Sequence, residues 1–217
     1  LTGKAVAHEL LAAAQRQVKV FLLVDGYASS DLSKTFIKTL EEAGVQFRMF
    51  DPLLKSKRFY LGRRLHHKVV AIDSKYALVG GINISDRYND MPGQPAWMDW
   101  AVYTDGEVSA TLASICHERV LAPTLKSMVR KQKKFNLQPA GSPVSIKIND
   151  WVRRKKQITH SYLAMFRQAR QSIIIMSAYF LPNGQFRNEL RRAVKRGVDV
   201  KLILAGASDL MVAKHAE

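Results

Sequence analysis

The chain has 217 residues, of which 47% are hydrophobic, enough for a substantial core in one large or two small domains. Its formal net charge of +16 favours an anionic partner, either nucleic acid or an anionic membrane surface, over a solvated face alone. No run of 18 apolar residues spans a bilayer, residues 1–5 show no secretory pattern, and the lone Cys116 excludes an internal disulfide.

In chain order, apolar spacing predicts a helix over residues 5–16, then a strand over 18–24 that ends in the turn Asp25-Gly26. A second helix over 31–43 places Phe36, Ile37, Leu40 and Ala43 on one stripe, with Gly44 as its C-terminal stop. A short strand follows over 45–50. Residues 53–64, LLKSKRFYLGRR, form a basic and aromatic segment. Lys55, Lys57, Arg58, Arg63 and Arg64 can draw anionic headgroups, with Phe59 and Tyr60 at the apolar boundary; the bland reading is a solvated loop.

The next strand covers 65–72, turns at Asp73-Ser74-Lys75 and returns over 76–79. A Gly-, Pro- and Asn-rich loop over 89–95 leads to a strand near 99–104. A helix over 107–121 stops before Pro123 and holds Cys116 as a small core residue. Residues 119–170 carry thirteen Lys and Arg against one acid, Asp150, and residues 136–143 read as a connection between lobes. A helix over 158–169 then precedes an apolar strand over 173–179. Alternating strands and helices imply an α/β fold, a mixed sheet flanked by helices.

The chain also repeats itself. At a constant offset, residues 9–26 match residues 189–206 at Glu9/Glu189, Leu10/Leu190, Ala13/Ala193, Arg16/Arg196, Val18/Val198, Val20/Val200, Leu22/Leu202 and Gly26/Gly206. Each copy is a helix followed by a strand, so the expectation is a duplicated lobe. Residues 1–135 would form the first lobe without its opening strand. Residues 136–217 would form a linker and the start of a second lobe, which makes the chain a fragment of a two-lobe protein. At the helix–strand junction the first copy has Gln17 where the second has Gly197, a substitution expected to strain that turn.

The chemistry concentrates in His66-His67-Lys68, Asp73, Gly80-Gly81 and Asn83. On a strand, His66 and Lys68 share a face, while His67 and Asp73 take the opposite one. An imidazole and a fixed ammonium one pleat apart suit attack on a phosphate. The ring serves as nucleophile or proton shuttle, and the cation holds phosphate oxygens. Asn83 can donate amide hydrogens to the same oxygens. The glycines either let the backbone approach a substrate or make a tight strand end. Asp73, by its parity, is a structural member of the motif, bonding the turn or a nearby cation, and His67 is read as packing. His8, His117, His160 and His215 carry no motif.

The pattern His-x-Lys-x4-Asp followed by Gly-Gly-x-Asn resembles the phospholipase D superfamily. The longer text over residues 64–88, and Tyr179-Phe180-Leu181-Pro182, resemble its cardiolipin synthase branch. The resemblance implies a phosphatidyltransferase that works through a phosphohistidine, with a second motif from another lobe completing the site. It implies Asp99, in Trp97-Met98-Asp99, as the carboxylate that orients the catalytic histidine. It implies no metal or organic cofactor, because His and Lys supply nucleophile and charge. The expected partners are an anionic phospholipid and the bacterial cell membrane, with any anchor outside this chain. A nuclease of the same superfamily, acting on nucleic acid as a homodimer that pairs two copies of one motif, is the alternative. The repeat argues against it, and a membrane-binding remnant without activity is the third reading.

Overall fold

The computed structural model describes residues 1–50, 64–121, 142–150 and 155–206. The chain divides into two compact units, Leu1–Val144 and Ser145–Glu217. The predicted basic segment 53–63, including Arg63, and the greater part of the 136–143 connection lie outside the described residues.

In the first unit, α1 (Thr2–Gln15) leads to β1 (Phe21–Asp25), and α2 (Lys34–Glu42) leads to β2 (Gln46–Phe50). Strands β1 and β2 pair in parallel, Phe21 opposite Gln46 through Asp25 opposite Phe50. Ala7, Val20, Leu40 and Val45 form the buried centre, with Leu10, Leu22, Phe36 and Phe47 packed around it. Removing this apolar surface from water is the main stabilising term for such a small layer.

The hairpin of β3 (Val69–Ile72) and β4 (Tyr76–Gly80) follows, and β5 (Ala101–Asp105) adds to β4; all three run antiparallel. The hairpin turn places Asp73 and Ser74 at φ 53° and 55°. Two consecutive left-handed residues match the right-handed twist of the flanking strands, and aspartate tolerates that conformation. A short 3-10 turn, Asp86–Tyr88, lies in the β4–β5 connection and has no counterpart in the predicted elements.

Helix α3 (Glu107–Leu121) matches its predicted range and joins the two ladders. Its Ser109 hydroxyl is buried and donates to the Thr104 carbonyl at 3.0 Å. Its His117 ring meets the edge of Phe21 on β1 at 5.2 Å. Arg48 on β2 donates to the Val120 carbonyl at 2.6 Å, in the last turn, where carbonyls lack a partner within the helix. Burial pushes the Cys116 thiol up from its ordinary pKa, as a partly buried helical cysteine requires.

The second unit holds a two-residue antiparallel pair, β6 (Asn149–Asp150) with β7 (Lys155–Lys156), which the sequence reading lacks. Helix α4 (Gln157–Gln168), β8 (Ser172–Ser177), α5 (Gly184–Lys195) and β9 (Asp199–Leu204) complete it. Strands β8 and β9 run parallel. Phe166, Ile173, Leu190, Ala193 and Val198 form its core. The Glu189 carboxylate is buried between Arg167 at 3.1 Å and Arg192 at 2.9 Å, clamping α4 to α5. Its repeat partner Glu9 is exposed beside His8, so the repeated sequence serves different surroundings.

The repeat is most visible where α1 and α5 end. In both, the helix closes with paired capping bonds: Val18 N–H to the Ala13 carbonyl and Gln17 N–H to Ala14, then Val198 N–H to Ala193 and Gly197 N–H to Val194. This is a Schellman closure, which needs a left-handed residue after the last helical turn. Gly44 at φ 92° provides it after α2 and Gly197 at φ 83° after α5, whereas Gln17 takes φ 64° with a side chain in place. The strain expected at Gln17 is therefore present. Gln17→Gly should raise stability by roughly 0.5–1 kcal/mol, and Gly197→Ala should lower it by about 1 kcal/mol, in urea unfolding followed by circular dichroism. Equal stability of Gln17→Gly and the parent chain would show that the left-handed turn costs nothing there.

Candidate active site

His66 lies ahead of β3 rather than on it. The predicted strand start at residue 65 moves to Val69, because β4 ends at Gly80 and the next amide, Gly81 N–H, already donates to the Trp100 carbonyl at 3.2 Å. Gly80 N–H donates to the Lys68 carbonyl at 3.2 Å, the last tie of the hairpin. Among the described residues, no strand faces residues 64–67.

The expected convergence of His66 and Lys68 is present. The Lys68 ammonium donates to the His66 carbonyl at 3.1 Å and lies 3.4 Å from His66 Nδ1. His66 is exposed and Lys68 half-buried. Lys68, Val70 and Ile72 share one sheet face by parity, and Val70 and Ile72 are each 54% exposed, so this face is open to solvent. His67, read as a packing residue, is exposed.

Burial pushes the Lys68 pKa below its ordinary value, and the nearby carboxylates of Asp99 and Asp25 pull it partly back. Desolvation disfavours the charged form, and opposite charges restore it. An ammonium in this state is stripped of part of its water yet kept cationic, which suits it to receive an anionic oxygen.

Asp99 is positioned by glycine. A Cβ at Gly81 would come within 2.5 Å of both Asp99 carboxylate oxygens, and a Cβ at Gly80 would strike the Trp100 carbonyl and Ala101. The glycine pair thus has a packing reason: it allows β4 to approach β5 and seats the carboxylate. Asp99 Oδ1 accepts from Trp100 N–H at 2.7 Å. Among the described residues it makes no hydrogen bond to His66; its electrostatic reach is to Lys68.

Asn83 is exposed just past the glycines, and its Nδ2 donates to the Tyr88 hydroxyl at 3.1 Å. Tyr88 packs edge-on against Trp97 at 5.9 Å, and Arg87 lies over the Trp97 ring at 5.1 Å. The 3-10 turn therefore fixes the amide through aromatic contacts that periodicity does not reveal. Asp73 sits in the hairpin turn, at the far end of β3 from Lys68, roughly 17 Å away at strand rise. The structure does not bring it to the imidazole.

The residue that sequence reasoning passed over is Asp25, read only as part of a turn. Its carboxylate accepts from Leu65 N–H at 2.7 Å, Ala28 N–H at 2.8 Å and Arg64 Nε at 2.9 Å. Burial alone would raise its pKa, but the hydrogen bonds from Ala28, Leu65 and Arg64, with the Arg64 charge, hold it below the ordinary carboxylate value. Arg64, expected to bind substrate, is engaged by this carboxylate and stacks over Tyr27 at 4.3 Å. The one available signal was position: Asp25 ends a parallel strand, and α/β sheets place ligands beyond strand C-termini.

Among the described residues no three His, Cys, Asp or Glu side chains gather as a metal site would require, and no helix is long and apolar enough to cross a membrane.

Gly81→Ala should lower stability by roughly 1–3 kcal/mol, because the Asp99 carboxylate must move. Gly184→Ala, where an added Cβ meets nothing, should stay within about 0.5 kcal/mol of the parent chain. Chemical unfolding of both variants checks this contrast; equal stabilities would remove Gly81 as the seat of Asp99.

The family model described as cardiolipin synthase, PLD-like domain, matches residues 1–93 and 162–217. Cardiolipin synthase B of Escherichia coli K12 is 37% identical over 217 residues, covering 98% of this chain and 52% of that protein. Cardiolipin synthase B of Salmonella typhi is 38% identical over the same coverage, and the cardiolipin synthase of Alkalihalophilus pseudofirmus is 28% identical over 44% of its length. The chain thus spans about half the length of the curated relatives it matches. Among solved structures, polyphosphate kinase from Porphyromonas gingivalis superposes with a TM-score of 0.57 at 15% identity, over 96% of this chain and 33% of that one, a likeness of fold alone. The chain belongs to the cardiolipin synthase, PLD-like domain family.

Proposed function

We propose that this chain supplies one motif of a phosphatidyltransferase centre of the cardiolipin synthase type. The observation that carries the reading is the approach of the Lys68 ammonium to His66 on an open face, with the Asn83 amide close behind in the chain.

The proposed reaction is a double displacement at phosphorus. A histidine nitrogen bonds to the phosphorus of a donor phospholipid, and the phosphorus–oxygen bond to the donor's alcohol breaks. That alcohol leaves with a proton from a second histidine. The hydroxyl of an acceptor then attacks the phosphohistidine, returns its proton to the same base, and frees the ring. His66 fills one of these two roles, and the other falls to a second copy of the motif. Division into two steps gives each displacement a good nucleophile and a protonated leaving group. Lys68 and Asn83 face the non-bridging oxygens, where charge is held through both transition states. The imidazole and the ammonium supply the nucleophile and the charge, so the reading requires no metal.

The substrates proposed are anionic phospholipids at a membrane surface, with phosphatidylglycerol as donor and acceptor. The charge of +16 supports an anionic surface and does not distinguish it from nucleic acid. Similarity to cardiolipin synthases over nearly the whole chain favours lipid. The domain division proposed with this reading is a first lobe over residues 1–135 and the beginning of a second over 136–217.

The full-length protein should form cardiolipin from phosphatidylglycerol vesicles in the presence of a chelator, followed by mass spectrometry of the lipids. His66→Ala should abolish formation. Retention of transfer by His66→Ala, or salt-sensitive cleavage of DNA without lipid turnover, would overturn the assignment.

A further inference from the structure

We propose that Asp25 is a positioning residue for the His66–Lys68 motif, an inference that rests on the proposed chemistry of that motif and names a residue outside it.

His66 precedes the strand ladder, so its backbone needs another anchor. Among the described residues, two ties bracket it. On the C-terminal side the Lys68 carbonyl accepts from Gly80 N–H, and on the N-terminal side Leu65 N–H donates to Asp25 Oδ2 at 2.7 Å. The second tie joins residues forty apart in sequence, from the end of β1 to the approach of β3. It fixes where the chain enters the motif, one residue before the imidazole.

The carboxylate is itself held firmly. Its side chain is 10% exposed, and Tyr27 N–H, Ala28 N–H and Arg64 Nε share Oδ1. Charge-assisted hydrogen bonds of this kind are short and directional, and an amide donor left without its acceptor in a partly buried place is costly. The same carboxylate attracts the Lys68 ammonium. One group thus holds the backbone before His66 and helps retain the charge beside it.

The repeat supplies an independent comparison. At the offset that superimposes Gly26 on Gly206, the residue matching Asp25 is Ala205. A helix–strand unit of this kind therefore closes without an acid at the strand end. In the first copy the acid has specific neighbours that use it, Leu65 N–H and Arg64 Nε.

The test compares Asp25→Ala, Asp25→Asn and Asp25→Glu in the full-length protein. The first readout is the His66 ring by ¹⁵N-edited NMR, assigned by its loss in His66→Ala; the second is kcat and KM for lipid transfer. Asp25→Ala should shift the His66 ring resonances and lower kcat about 100-fold with KM within about twofold, the size expected when a reacting group is displaced by about 1 Å. Asp25→Asn, which keeps an acceptor for Leu65 N–H and loses the charge, should shift the ring less and lower kcat less. Asp25→Glu should recover part of the loss. Unchanged His66 resonances in both Asp25→Ala and Asp25→Asn would overturn the inference, whatever the activity. If the ring shifts as expected in a protein that transfers no lipid, the positioning role stands and the reaction assignment falls. Should Asp25→Ala fail to fold, the ring shift in Asp25→Asn decides the matter alone.

Discussion

One ammonium lies within the electrostatic reach of two carboxylates at the head of an antiparallel hairpin, and the proposed chemistry depends on their balance. Lys68 is half-buried beside His66, which weakens its hold on a proton; Asp99 and Asp25 strengthen it. Each carboxylate is delivered by a different device. Asp99 needs the missing side chain of Gly81, and Asp25 needs the end of β1 to face the chain before His66. The antiparallel sheet and the parallel pair are separate ladders, so the packing of α3 across both underlies the arrangement.

Much of the scaffold is legible in the sequence because local rules govern it. Gly44 and Gly197 mark helix ends where a left-handed residue closes a Schellman motif, and Gln17 marks a third by its position in the repeat. The hairpin turn at residues 73–75 follows from polar residues between two apolar runs. Helix α3 follows from its periodicity and the proline beyond it. The helix–strand repeat is realised as α1–β1 and α5–β9.

What escaped is non-local. The strand start at Val69 depends on where the partner strand stops, which no property of residues 65–68 encodes. The Asn83–Tyr88–Trp97 chain runs through a turn too short for periodicity to register. Asp25 reads as an ordinary turn residue until the fold brings Leu65 and Arg64 to it. The structure brings Lys68 to His66, ties Asn83 to Tyr88 instead, and leaves Asp73 in the hairpin turn, in keeping with a structural reading of that residue. A sequence motif records residues kept together in the chain, and the fold then divides them between chemistry and support.

The account stands or falls on His66 and Lys68 acting together on one phosphorus atom. A crystal structure of the full-length protein with a short-chain phosphatidylglycerol or inorganic phosphate measures this directly. The account predicts phosphorus within about 3.5 Å of a His66 ring nitrogen, and a non-bridging oxygen within hydrogen-bonding reach of Lys68 Nζ. A phosphate bound with those two side chains turned away from it would contradict the account.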